Sequence, residues 1–149
     1  MEEPALMQTW LNVVQEKGFR LTSPLRAIVG VLANSDRALE PVEIFDRARE
    51  EYPRLGLVTV YRTLEKLEEL GLIQRVHQAQ GCHRYLRAMQ GHEHLLICSH
   101  CGQAVYFSGD DLSCLFDRVA QCSGYRIEEH WLQLFGVCQN CQRLAERGG

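Results

Sequence analysis

The chain has 149 residues, enough for one large or two small domains, and its 46% hydrophobic and 23% charged residues are ordinary for a globular protein. Sixteen basic and nineteen acidic side chains give a net charge of −3, which excludes a polycationic nucleic-acid-binding tail and an acidic disordered segment. The apolar runs are too short to span a bilayer and the N-terminus lacks signal-peptide features, so we expect a cytoplasmic protein without membrane contact.

Residues 1–88 have the periodicity of four short helices followed by a β-hairpin. The predicted helices run from Pro4 to Lys17, from the Thr22-Ser23-Pro24 cap onwards, from Pro41 to before Pro53, and from about Thr59 to Gly71, and the predicted strands are 72–77 and 82–86. This order is that of a winged helix-turn-helix, which binds DNA. Short helices and a hairpin also build domains with no nucleic-acid role, so both interpretations stay open here.

The predicted fourth helix carries side chains that suit DNA near its N-terminus. Helical spacing places Thr59, Tyr61 and Arg62 outward, while Val60 and Leu64 pack inward. Hydroxyl, phenol and guanidinium groups at a helix N-terminus match a major groove and its phosphates. Three further cations near the turn before the second helix are candidate phosphate contacts: Lys17, Arg20 and Arg26.

Seven cysteines and six histidines all lie from residue 77 onwards. An odd number of cysteines in a reducing compartment argues against a disulfide framework and for metal or thiol chemistry. Two Cys-X-X-Cys pairs predict a closed tetrahedral zinc site with a structural role. Its ligands are Cys98, Cys101, Cys138 and Cys141. Redox-active thiols are the alternative.

Residues 89–149 predict a small αβ domain between and around these pairs. We expect strands at 104–107, around 125–129 and at 131–135, with a helix opening at Asp110-Asp111. The helix places four apolar side chains on one face: Leu112, Leu115, Phe116 and Val119. We expect Cys114 and Cys122 to be buried and His100 to be exposed. A unit this small gains stability from zinc and from a second copy, which predicts a homodimer.

A second metal site is predicted around His92 and His94. Alternate residues of an extended strand share a face, so both imidazoles can reach one ion, although a solvated linker is the alternative. The hairpin offers His77, His83 and Cys82 as further ligands, and a metal bound by both halves would bias their arrangement. Weaker candidates for another site are Glu93, His130, Asp110 and Asp111, of which the aspartates equally suit a helix cap.

From Leu11 to Cys141 the sequence resembles the ferric uptake regulator superfamily. The segments that carry the resemblance are LGLVTVYRTLEKLEELGLI (55–73), HEHLLICSHCG (92–102) and GVCQNC (136–141). The resemblance implies an α+β protein: a winged-helix DNA-binding domain over 1–88, then an αβ dimerisation and metal-binding domain over 89–149 with a structural zinc held by four cysteines. It also implies a homodimeric, metal-responsive transcription regulator and not an enzyme. The metal-loaded dimer of such a regulator binds double-stranded operator DNA, with Tyr61 and its neighbours in the major groove.

The regulatory metal is harder to assign from the resemblance. Iron and peroxide sensors commonly have an acidic ligand just after the hairpin aromatic, here Leu86, and a histidine before the third helix, here residues 38–40 (Ala-Leu-Glu). Zinc sensors often have a cysteine shortly after that aromatic, where this chain has Leu86-Arg87. A histidine-rich set without carboxylates favours zinc. We therefore predict a protein of the zinc uptake regulator type with a second, regulatory zinc, the alternative being an iron- or peroxide-responsive regulator.

The additional metal site of the superfamily matches this chain only in part. Glu93 and His130 fit its pattern, whereas Gly91 and Ser113 occupy the other ligand places. From the residues themselves three other functions stay open: a metal-hydroxide hydrolase at the histidine pair, a thiol switch at Cys98 and Cys101, and a zinc-stabilised interaction module that does not bind DNA.

Overall fold

The computed structural model describes residues 3–77, 83–91, 93–108 and 112–148, and of Glu3, Pro4 and His77 it describes the backbone alone. The chain divides into two compact units, Met1–Ala88 and Met89–Gly149. No helix in the described ranges is both long enough and apolar enough to cross a membrane.

The first unit contains four helices and an antiparallel hairpin. Its elements are α1 (Glu3–Glu16), α2 (Ser23–Ala33), α3 (Pro41–Glu51), α4 (Leu57–Glu69), β1 (Ile73–His77) and β2 (His83–Arg87). Thr22 caps α2 by accepting the backbone N–H of Leu25 at 3.4 Å, and Glu43 accepts that of Glu40 at the start of α3. These are the elements of a winged helix-turn-helix in the predicted order.

Helix α4 begins at Leu57, two residues before the predicted start. Gly56, in an extended conformation, is its N-cap, and the hydroxyl of Thr59 takes no part in capping. Gly71 follows the helix with φ of 71°, in the left-handed region that favours glycine, as its predicted stop role requires. The helix is therefore longer at its N-terminus than predicted, and Val58 lies in its first turn.

One apolar core joins the four helices to the hairpin. Its fully buried members include Leu11 of α1, Ile28 of α2, Ile44 of α3 and Leu64 of α4. The loop before α3 pairs with the hairpin, since the N–H of Leu39 donates to the Tyr85 carbonyl at 2.9 Å and the Leu39 carbonyl accepts the N–H of Tyr85 at 2.8 Å. The first unit thus has a core and backbone pairing of its own.

The second unit is a three-stranded sheet with two helices. Its elements are β3 (Glu93–Cys98), β4 (Ala104–Ser108), α5 (Ser113–Ser123), β5 (Gln133–Gly136) and α6 (Gln139–Arg147). The strand order is β4-β3-β5, with β3 antiparallel to β4 and parallel to β5. The sequence analysis did not predict α6, which begins directly after Cys138 and includes Cys141 in its first turn.

Three expectations about the second unit were wrong. Residues 125–129 form no strand, and the last strand begins at residue 133 and not at 131. Because β3 already has a partner on both edges, residues 125–129 could pair only with the outer edge of β4 or β5, and the described residues show no such pairing. Cys114 and Cys122 are exposed, since no residue of α5 is buried within the chain. His100 is exposed, as predicted.

Replacing Leu64 by alanine should destabilise the first unit by about 3 kcal/mol, because the fully buried side chain leaves a cavity in the core. The measurement is urea unfolding followed by the fluorescence of buried Trp10, in a Trp131→Phe background that removes the exposed second tryptophan. The control Val42→Ala, at an exposed position of α3, should change the unfolding free energy by less than about 0.5 kcal/mol. A cost below about 1 kcal/mol for Leu64→Ala would contradict its place in the core.

Candidate metal centre and nucleic-acid interface

Two turns bring the four cysteines together. Cys98 ends β3 and Cys101 lies in the turn to β4, where Gly102 donates its N–H to the Cys98 carbonyl at 2.9 Å with φ of 77°. Cys138 is the N-cap of α6, and Cys141 lies in the first turn of that helix. The parallel pairing of β3 with β5 places the end of β5 beside Cys98. The sheet register therefore joins turns that are far apart in sequence.

The four sulfur atoms have the separations that one tetrahedral ion needs. All four Sγ atoms lie within 4.8 Å of one another, and those of Cys101 and Cys138 are 3.7 Å apart. Zinc–sulfur bonds of about 2.3 Å give a tetrahedron with edges of about 3.8 Å. The predicted convergence of the two pairs is confirmed, and the cluster is a closed metal-binding set of four thiols.

The pKa values of Cys98 and Cys141 are shifted in opposite directions. Burial raises the pKa of Cys98, but backbone N–H groups of Cys101, Cys138 and His100 stabilise its thiolate and lower the pKa to about 6. The pKa of Cys141 is raised to about 12, chiefly by its hydrogen bond with Cys138, then by burial and the other two cysteines. Four sulfurs this close cannot all ionise alone, and a divalent cation supplies the missing positive charge.

His94 lies in an aromatic row of the second unit. Its side chain is 2% exposed on β3, with its ring centroid 5.5 Å from that of Phe107 on β4 and 5.4 Å from that of His130. The ring of His130 in turn lies 4.4 Å from Phe116 of α5. Across the described ranges, no group of three or more potential ligands includes these histidines. A metal at His94 would therefore need further ligands beyond those that the described residues bring near it.

The other predicted regulatory ligands are only partly described. The hairpin register places His77 directly opposite His83, as predicted, and His83 is half-buried. The Glu93 carboxylate accepts the backbone N–H of Gln90 at 3.0 Å, which closes the turn before β3. Five of the predicted groups lie outside the described residues: the His77 side chain, Cys82, His92, Asp110 and Asp111.

Buried apolar side chains lie at most of the positions where the sequence departs from the iron-sensor pattern. Ala38 and Leu39 are fully buried, and Leu86 is almost so. Glu40 is the N-cap of α3, and its carboxylate lies 3.4 Å from the guanidinium of Arg84 on β2. None of these apolar side chains can bind a metal, and the one carboxylate already has a cationic partner.

The solvent face of α4 carries the predicted DNA-binding side chains. Thr59, Tyr61 and Arg62 are exposed, whereas Val60 and Leu64 are fully buried. No acidic residue lies in the first turn. The three predicted phosphate contacts near α2 are exposed as well: Lys17, Arg20 and Arg26.

The loop that holds Lys17 and Arg20 lies beside α4. The ammonium of Lys66 on α4 lies 4.5 Å from the ring centroid of Phe19, between Lys17 and Arg20. Val58 and Arg54, exposed within and before the first turn of α4, were missed by the sequence analysis. Counting 100° per residue from the buried Val60 would have placed Val58 on the solvent face.

Comparisons with known proteins agree on one family. The Ferric uptake regulator family model matches residues 16–135. A Ferric uptake regulation protein of Neisseria meningitidis serogroup C is 30% identical over 144 residues, which cover 95% of this chain and all of that protein.

Solved structures share the fold and differ in the metal they are named for. A zinc-bound manganese uptake regulator has 29% identity and a TM-score of 0.70, over 87% of this chain and 98% of that chain. A zinc uptake regulator complexed with zinc and DNA has 20% identity and a TM-score of 0.72, over 98% of this chain and 99% of that chain. These similarities do not separate zinc from iron or manganese as the signal, so the predicted zinc branch stays a prediction.

A Cys101→Ser variant should bind cobalt(II), a spectroscopic substitute for zinc, at least about 100-fold more weakly than the parent protein, because one of four thiolate ligands is lost. The measurement is the visible absorption of tetrahedral cobalt–thiolate coordination during titration of the metal-free protein. The matched control is Cys114→Ser, which removes an exposed thiol outside the cluster and should leave the titration unchanged. Equal spectra and affinities for the two variants would contradict the four-cysteine site.

Proposed function

The chain belongs to the ferric uptake regulator family, and we propose that it is a zinc-responsive transcription regulator that binds operator DNA as a homodimer in its metal-loaded form. The observation that carries the proposal is the exposed face of α4. A winged helix-turn-helix presents this helix to the major groove, and here the face bears Thr59, Tyr61 and Arg62 without an acidic residue in its first turn.

We assign a structural role to the four-cysteine cluster. Cys98, Cys101, Cys138 and Cys141 would hold zinc with no open coordination position, so the ion stabilises the fold and has no site for a substrate. The stabilisation matters because few side chains of the second unit are buried.

The proposal of zinc as the signal rests on which side chains are available to bind a regulatory metal. The positions at which iron sensors commonly carry ligands hold buried Leu86 and Ala38, and Glu40 is paired with Arg84. The proposed regulatory ligands are therefore imidazoles and, as a weaker candidate, the thiol of Cys82. They are His77, His83, His92 and His94. Neutral nitrogen and sulfur donors suit zinc better than the harder manganese or iron(II) ions.

The homodimer is proposed from apolar side chains that the single chain leaves in water. Leu115 and Val119 are exposed on α5, and Tyr125 and Trp131 are exposed in the segment that follows. A cluster of large apolar groups on one small unit is typical of a subunit interface. A second copy would bury them and give the residues after α5 a partner.

An iron-responsive regulator is the second candidate. The Neisseria relative, 30% identical over its whole length, is named for ferric uptake. The two candidates differ in the metal that switches on DNA binding, and the same titration separates them.

Titration with zinc should show two sites per subunit, and only filling of the second should switch on DNA binding. The tight site keeps its zinc during mild chelation because four thiolates hold it. The measurement combines zinc stoichiometry with DNA binding to duplexes enriched from random sequence. The double variant His92→Ala with His94→Ala should keep the tight zinc and lose metal-dependent DNA binding, and His100→Ala, at an exposed histidine, is its control.

Each other outcome overturns a defined part of the proposal. Activation by iron(II) or manganese(II) in place of zinc would refute the zinc assignment and leave a regulator of another metal. DNA affinity that ignores every metal would refute the sensor. Because His94 is buried, thermal unfolding of the double variant must show a folded protein before its DNA affinity is interpreted.

An Arg62→Ala variant should bind the enriched duplex about 10- to 100-fold more weakly and keep the zinc stoichiometry, because it loses a guanidinium contact to a base or phosphate. The measurement is DNA affinity at several salt concentrations, where a lost phosphate contact lowers the salt dependence. Arg49→Ala, at an exposed position of α3, is the matched control and should bind like the parent. An unchanged affinity for Arg62→Ala would refute the contact.

A further inference from the structure

Exposed large apolar side chains of the first unit are concentrated on one helix. Within its described residues they are Val42 of α3 and three neighbours on α4: Leu57, Val58 and Tyr61, with exposed fractions of 51%, 38%, 64% and 45%. Other large apolar side chains of this unit, such as Phe19, Phe45 and Leu70, are half-buried against the core. Valine in the first turn of a helix has no capping role that would explain it, so the exposed group on α4 requires another reason.

Val58 is at the centre of the outward face of α4. The helix turns by 100° per residue, which places Val58 opposite the buried row of Val60, Leu64 and Leu67. Tyr61 and Arg62 follow at three and four residues along, so their side chains lie beside Val58 on the same face. A surface that touches Tyr61 and Arg62 therefore also meets the Val58 methyl groups.

The charges around Val58 define what can cover it. Arg62 adjoins it, Arg54 is exposed just before the helix, and the first turn has no acidic residue. Glu65 lies two turns after Val58 on the same face of the helix. An anion would therefore be bound more favourably near the N-terminal end of α4 than near Glu65. The partner that suits this face is thus anionic and has an apolar feature within reach of the valine.

We propose that Val58 contacts the C5-methyl group of a thymine in each operator half-site and so reads sequence. The inference rests on the proposed DNA binding by α4. Valine cannot donate or accept a hydrogen bond, and in the major groove the thymine methyl is the apolar group that distinguishes one base pair from the others. Burying one methyl is worth about a fourfold change in affinity, or about 15-fold when both half-sites of a dimer are altered.

The experiment removes the methyl group from each side of the contact. Duplexes are first enriched from random-sequence DNA with the full-length protein, loaded with whichever of zinc, manganese(II) or iron(II) supports the tightest binding. Each thymine of the enriched duplex is then replaced by deoxyuridine, which lacks the methyl but keeps the same hydrogen-bonding groups. For the parent protein, one thymine in each half-site should show the fourfold loss. For Val58→Ala the same replacement should have no effect.

Val42→Ala is the control, because it removes the same side chain from an exposed position on α3 and should keep the full response to deoxyuridine. Alanine favours helix more than valine does, so Val58→Ala should fold at least as well as the parent. An equal response to deoxyuridine in the parent and Val58→Ala would overturn the assignment while leaving DNA binding in place. Failure to enrich any duplex would overturn the proposed DNA binding, and the Val58 contact with it.

Discussion

The convergence of four cysteine sulfurs is the constraint on which the second unit depends. Its described strands bury little apolar surface beyond Leu95 and Ile97, and no residue of α5 is buried. The four-cysteine cluster joins the end of β3, the turn after it and the start of α6, three places that have no large core to hold them. Without a cation four thiols this close cannot all ionise, and the pKa of Cys141 is raised to about 12, chiefly by its hydrogen bond with Cys138. A metal ion bound by the four thiolates would supply both charge balance and a crosslink between these three places.

The first unit is stabilised differently. It has a continuous apolar core drawn from all four helices, and backbone bonds between Leu39 and Tyr85 attach the hairpin to the loop before α3. Side chains at the positions where related regulators hold a metal are used here for packing, as with Leu86. The first unit thus has a large apolar core, whereas the described residues of the second unit bury few apolar side chains and bring four cysteines together.

Much of the candidate site could be predicted from the sequence because its signals are local. Two Cys-X-X-Cys pairs specify ligand type and spacing, and helical periodicity separated exposed Tyr61 and Arg62 from buried Leu64. The predictions that failed concern burial and pairing between distant segments. Cys114 and Cys122 looked like core residues on an apolar helix, and residues 125–129 looked like a strand, yet in the described residues both cysteines are exposed and residues 125–129 pair with no strand.

The sequence by itself determined the family, the order of helices and strands in the first unit, the four clustered cysteines and the outward face of α4. Each of these follows from the type and spacing of residues that are near one another in the sequence, and does not depend on contacts between distant segments. Only the tertiary structure decided that the sulfurs lie within 4.8 Å, that the pKa values of Cys98 and Cys141 differ, and that Cys114 and Cys122 are exposed. Separations, burial and pKa values depend on segments brought together from far apart in the chain, which local pattern does not encode.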